Sequence, residues 1–160
     1  MQPKNLIYIL LCLSFSLICG AAVYEHMVVW PKAFAAIPAS LTAFQGEYAM
    51  NNGLFWMMIH PITLILFIIA LIISWKTDRK KNVLFPFITY ILILATTFAW
   101  FVPELLDLVN TAYSNTIDET LTARGSRWEI LSIIRAVILF ACAVFLYMGL
   151  TKPAVKNAAA

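Results

Sequence analysis

Charge is what this sequence has least of. Asp, Glu, Lys and Arg make up 12% of its 160 residues against 62% hydrophobic, and mean hydropathy is +0.87. That balance excludes a soluble domain, and the length suits one compact membrane domain over residues 1–160. Histidine is scarcer still: His26 and His60 are the only two, and no E-x-x-H or H-x-x-x-H pair exists to announce a metal site. A haem would find only His60 well placed as an axial ligand. Cys12, Cys19 and Cys142 all fall in apolar runs without a C-x-x-C pair, so they read as small packing residues. Internal repeats are absent, as is low complexity beyond a short alanine tail. No surface interleaves basic and aromatic residues in the manner that binds DNA or RNA, which excludes nucleic acid as a partner.

What is present is long apolar runs. A hydrocarbon core of ~30 Å needs roughly 20 helical residues, and residues 6–23, 53–75, 83–102 and 130–150 meet that length. The first and third contain no ionisable residue, the second only His60 and the fourth only Arg135. The first resembles a signal peptide, with Lys4 ahead and "CGAA" at its end. Its run is longer than an h-region, however, and Ile18 spoils a lipoprotein-type cleavage site, so it is kept as a span. The expected fold is an all-α, four-transmembrane-helix bundle with short helices in its two longer loops.

Lys4, Lys76, Arg79, Lys80, Lys81, Lys152 and Lys156 share one set of loops with a single acid, Asp78. Glu25, Glu47, Glu104, Asp107, Asp118 and Glu119 occupy the other set. The positive-inside rule puts both termini in the cytoplasm and loops 24–52 and 103–129 outside, as in a bacterial cytoplasmic membrane. The net charge of +3 then serves orientation and contact with membrane lipids. Both outer loops exceed a simple turn. The first mixes Trp30, Phe34, Leu41, Phe44 and Tyr48 with polar residues, as interfacial helices do. In the second, "TIDE" and "SRWE" fit the capping box, so Thr116 is expected to open a short helix ending near Gly125, and Ser126 to open the fourth span.

Depth singles out a few polar residues. At ~1.5 Å per residue, His60 and Arg135 each sit roughly 10 Å below the outer surface. An arginine at a span's centre costs ~2.5 kcal/mol or more unless it meets a carboxylate, a polar cavity or water. Glu25, Glu104, Asp107 and Glu129 are its candidate partners. Pro61 after His60 leaves the Met57 carbonyl without a helical donor, which favours a pocket. Glu104, Asp107 and Asn110 share a face if the third helix runs past Pro103, and Trp128 shares one with Arg135. The candidate site is therefore His60, Arg135 and Glu104 as catalytic groups, with Trp128, Asp107 and Tyr24 against a substrate. Glu25, His26 and His60 are the candidate metal ligands, of types suited to iron, copper or zinc, and a site without any cofactor stays open. Plainer readings stand beside these: Glu25 and His26 as headgroup-level residues, His60 as a packed histidine, Glu129 as a cap, and Arg135 in a structural ion pair with Glu104.

The runs "GAAVYEHMVVWPKAF", "FVPELLDL" and "RWEILSIIRAVILF" resemble the anthrone oxygenase-like family of small four-helix membrane proteins. Gly20, Pro31, Pro103 and Trp128 with Arg135 match its short motifs, over nearly the whole chain. The chain departs from the family where Glu104 and Leu105 follow Pro103 in place of the usual asparagine. The resemblance implies a bundle with a polar pocket and, in some members, oxidation of a polycyclic phenol by dioxygen, and fixes no cofactor.

The expected function is accordingly a small membrane oxidoreductase or oxygenase acting on a lipophilic small molecule. A carboxylate or His60 would remove a proton and Arg135 would stabilise the anion. The alternative is a non-catalytic ligand- or metal-binding subunit, as a homo-oligomer or with a partner membrane protein. Transport is weaker, because polar groups on one side only give no continuous path.

Overall fold

The computed structural model describes residues 3–153, so Lys156 and the alanine tail lie outside the described residues. Four helices are long and apolar enough to cross a membrane: α1 (Lys4–Ala33), α2 (Asn52–Ser74), α3 (Lys80–Val109) and α4 (Glu119–Thr151). Among the described residues there is no strand. The chain is an all-α, four-helix integral membrane protein.

Three of the helices outrun their apolar stretches. α1 does not stop at Val23: it passes through a π turn at Glu25–Val29, where the Trp30 amide reaches the Glu25 carbonyl, and continues over Trp30–Ala33. α3 does the same, with a π turn at Thr97–Phe101, the Val102 amide on the Thr97 carbonyl, and a further helix over Val102–Val109. Each π turn precedes a proline, Pro31 or Pro103. A helical proline lacks an amide hydrogen and its ring crowds the carbonyl four residues back. Those carbonyls belong to Met27 and Ala99, inside the two π turns, and the wider turn relieves the crowding.

α4 also corrects an expectation. It begins at Glu119, where the Asp118 carboxylate accepts from the Leu121 amide at 3.0 Å, and Thr116 starts no helix. Ser126 is not a cap either, since its hydroxyl donates back to the Thr122 carbonyl at 3.1 Å within an unbroken helix. Gly125 stands mid-helix for a packing reason: a Cβ there would lie 2.8 Å from Phe34 Cγ and 3.0 Å from Ile37 Cδ1.

The chain forms two compact units. The first comprises Met1–Gly20, Leu54–Leu92 and Ile138–Ala160. Tyr8, Leu11, Phe15, Ile18, Phe67, Tyr90 and Leu146 are fully buried in it, with Phe15 edge-on to Phe67 and Tyr90. At the hairpin between α2 and α3, Arg79 is buried and donates to the Lys152 carbonyl and to Asn5 Oδ1, both at 2.8 Å. This hairpin cation therefore ties chain ends together, where its sequence position suggests a headgroup contact.

The second unit comprises Ala21–Gly53 and Ile93–Val137. Its core is aromatic: Trp30 stacks on Phe34 and Phe44, and meets Trp128 edge-on at 5.1 Å. Ile37, Leu41, Phe101 and Leu108 complete that core. Most of the segment read as interfacial helices packs as a layer, made of the end of α1 and the short 3-10 helix Ala39–Phe44, whereas Tyr48 is exposed.

Candidate functional site

The second unit places one face of α4 against both π turns. Trp128, Ser132 and Arg135 recur at i, i+4 and i+7 and so share that face. The π turn of α1 supplies Glu25 and His26, and that of α3 supplies Thr97 and Phe101.

Arg135 is the centre of this group. Its Nη1 donates to Thr97 Oγ1 and its Nη2 to Ser132 Oγ, each at 2.8 Å, and the guanidinium carbon lies 4.1 Å from the centroid of the Phe101 ring. Among the described residues no carboxylate lies within ion-pair distance of it. The charge of Glu25 acts on it from within the same unit. A guanidinium keeps its charge and has five donors, so two neutral hydroxyls and a ring leave it both charge and donors for a further acceptor.

Around it the polar groups are fixed. Ser132 is buried, and its Oγ is 3.1 Å from His26 Nε2. His26 leans on Trp128, with ring centroids 6.4 Å apart, and its Nδ1 is buried without a hydrogen-bond partner among the described residues. Glu25 accepts from Trp30 Nε1 at 3.2 Å and from Asn52 Nδ2 at 3.0 Å. Trp128 is a buried support: its Nε1 donates to the Phe101 carbonyl at 2.8 Å, holding the ring that Arg135 covers.

Other sequence candidates fall elsewhere. Glu104 takes two bonds from Arg124, at 2.8 and 2.9 Å, and Asp107 a third at 2.7 Å. Both acids do share a face, but they answer Arg124, and the expected ion pair between Glu104 and Arg135 is not made. Among the described residues Glu104 makes no hydrogen bond or ion pair with the Arg135 group, and Asp107 and Tyr24 are exposed. Glu129 is half-buried on α4, in the body of the helix, so it caps no helix start.

His60 belongs to the first unit. Its Nδ1 is 2.6 Å from the hydroxyl of the buried Tyr90, and the Trp56 ring stacks on it at 5.3 Å. Nearby, Ser14 and Thr63 share a buried hydroxyl pair at 2.5 Å. Among the described residues no three His, Cys, Asp or Glu side chains gather to hold a metal ion. The candidate ligand set Glu25, His26 and His60 therefore has no such cluster to support it. A groove of the first unit, about 640 Å³ and lined by Ser16, Cys19, Gly20 and Tyr147 among others, has almost wholly apolar walls and no charged group.

Sequence reasoning missed Thr97, Ser132, Asn52 and Arg124. Ser132 was the most findable, three residues before Arg135 on the same helix. Thr97 is one of two adjacent threonines in an apolar run, and only the contact reveals which of them matters. No protein-family model, curated protein or solved structure matches the chain.

Proposed function

We propose that this chain is a small oxygenase-like membrane enzyme that binds a lipophilic, weakly acidic aromatic compound with its ionised oxygen at Arg135. One observation carries the reading: a guanidinium in a membrane-crossing helix whose partners are two hydroxyls and a ring rather than a carboxylate. In apolar surroundings such a charge favours an anion far more than it would in water. Preformed hydrogen bonds that it donates to Thr97 and Ser132 hold it in place, so little reorganisation accompanies binding.

In this scheme Glu25, the carboxylate whose charge acts on Arg135, takes the proton of the phenol or enolisable ketone, and Arg135 stabilises the oxyanion. Dioxygen is the oxidant, as the likeness to anthrone oxygenases suggests: one oxygen atom enters the ring carbon as a ketone and the other leaves as water. By the positive-inside argument both termini are cytoplasmic and the site faces the outer leaflet.

A second reading, binding without turnover, is favoured by Glu25 itself. Both its oxygens already accept hydrogen bonds, from Trp30 and Asn52, which occupy lone pairs that an incoming proton would need. The deciding experiment measures oxygen uptake by the purified protein with an anthrone, beside Arg135→Gln. Uptake that falls at least tenfold in the variant supports the enzyme; anthrone binding without uptake supports the second reading; neither binding nor uptake overturns both.

A further inference from the structure

We infer that His26 is a second hydrogen-bond donor of the Arg135 site, held in its Nδ1–H form by Ser132, so that the site selects an oxygen that can only accept: a phenolate or a carboxylate. The choice of ligand rests on the anion reading of Arg135; the assignment of the histidine proton does not.

The protons assign the roles. Arg135 Nη2 can only donate, so at 2.8 Å Ser132 Oγ is its acceptor. Ser132 has one proton of its own and is 2% exposed, so that proton needs a protein acceptor. Among the described residues its hydroxyl makes no bond back to the α4 backbone, and the remaining partner is His26 Nε2 at 3.1 Å. Nε2 therefore contributes a lone pair, and the neutral ring carries its hydrogen on Nδ1.

That N–H is buried and has no protein partner among the described residues. A buried donor left unpaired forfeits the hydrogen bond it had in water, and an acceptor oxygen of a ligand restores it. A neutral hydroxyl restores it less well, because its oxygen carries no full charge for the two donors to meet. His26 consequently acts as a donor to the bound anion, and Glu25 is left as the group that accepts a proton.

Two measurements on the full chain in detergent test this. The first is nitrogen-15 NMR of labelled histidine, with the His60 signals assigned through His60→Gln. A protonated Nδ1 and an unprotonated Nε2 for His26 are expected, the pattern being lost in Ser132→Ala; a protonated Nε2 overturns the assignment. The second is the affinity for 4-nitrophenolate, with 4-nitroanisole as the shape-matched compound that cannot ionise. His26→Asn, whose amide N–H can stand in for Nδ1–H, is expected within about threefold of the wild type. His26→Gln and His26→Phe are expected about tenfold weaker, roughly the worth of one hydrogen bond to a charged acceptor. Equal affinity of the three variants, or equal binding of the two nitro compounds, overturns the donor role. A wild type that shows the Nδ1–H signal yet takes no nitrophenolate overturns the Arg135 anion site and not the proton assignment.

Discussion

Adding one methyl group at Gly125 should destabilise this protein, against the usual rule for a glycine inside a helix. By propensity alone, Gly→Ala in a helix interior gains about 1 kcal/mol. At Gly125 the new Cβ would stand 2.8 Å from Phe34 Cγ and 3.0 Å from both Phe34 Cβ and Ile37 Cδ1. Phe34 cannot swing aside, being 3% exposed, stacked on Trp30 and edge-on to Trp128. Ile37 is wholly buried. Overpacking of this kind costs roughly 1–3 kcal/mol, so the net effect should be a loss of up to about 2 kcal/mol. Gly20 is the control, because a Cβ there meets nothing within 4 Å and the residue lies inside α1. Gly20→Ala should therefore stabilise by up to about 1 kcal/mol. Unfolding of both variants followed by circular dichroism in detergent gives the comparison. If Gly125→Ala stabilises as much as Gly20→Ala, the close packing of Phe34 and Ile37 on α4 is wrong.

Other outcomes follow from single contacts. Trp128→Phe keeps the ring but leaves the buried Phe101 carbonyl without its indole donor, and should cost roughly 1–3 kcal/mol in the same unfolding measurement. A double-mutant cycle of Glu104→Gln with Arg124→Gln should give a coupling of about 1 kcal/mol, diminished in high salt because Arg124 is 31% exposed. A coupling that ignores salt would show that the pair is more shielded than its geometry indicates. The histidine at 26 should accept asparagine better than glutamine in nitrophenolate binding, as argued above.

Much of the fold was legible because its cause is apolar length. The four runs at 6–23, 53–75, 83–102 and 130–150 lie on helices that can cross a membrane, save Trp75 just past the end of α2. The helix ends were not legible. Glu25 and His26 look like a water-facing terminus, and Pro31 and Pro103 look like breaks, because a linear pattern does not reveal a π turn that accommodates a proline and keeps the helix going. Gly125 and "TIDE" carried genuine start and stop signals, overridden by the packing of Phe34 on α4 and by the cap from Asp118. Arg135 was singled out by the cost of its charge, whereas its real partners, Thr97 and Ser132, are small hydroxyls with no sequence signature. Arg124 shows the converse: it is ordinary in sequence, yet it binds both acids that seemed available to Arg135.

The central claim is that Arg135 holds an anionic oxygen, and the ionisation of bound 4-nitrophenol tests it most directly. The phenolate absorbs at longer wavelength than the phenol, so titrating the compound in the presence of excess protein reports which form is bound. The account predicts that wild-type protein keeps the bound compound ionised at a pH at least one unit lower than detergent alone does, and that Arg135→Gln abolishes the difference. An unchanged titration with wild-type protein, or an equal shift with Arg135→Gln, would contradict it.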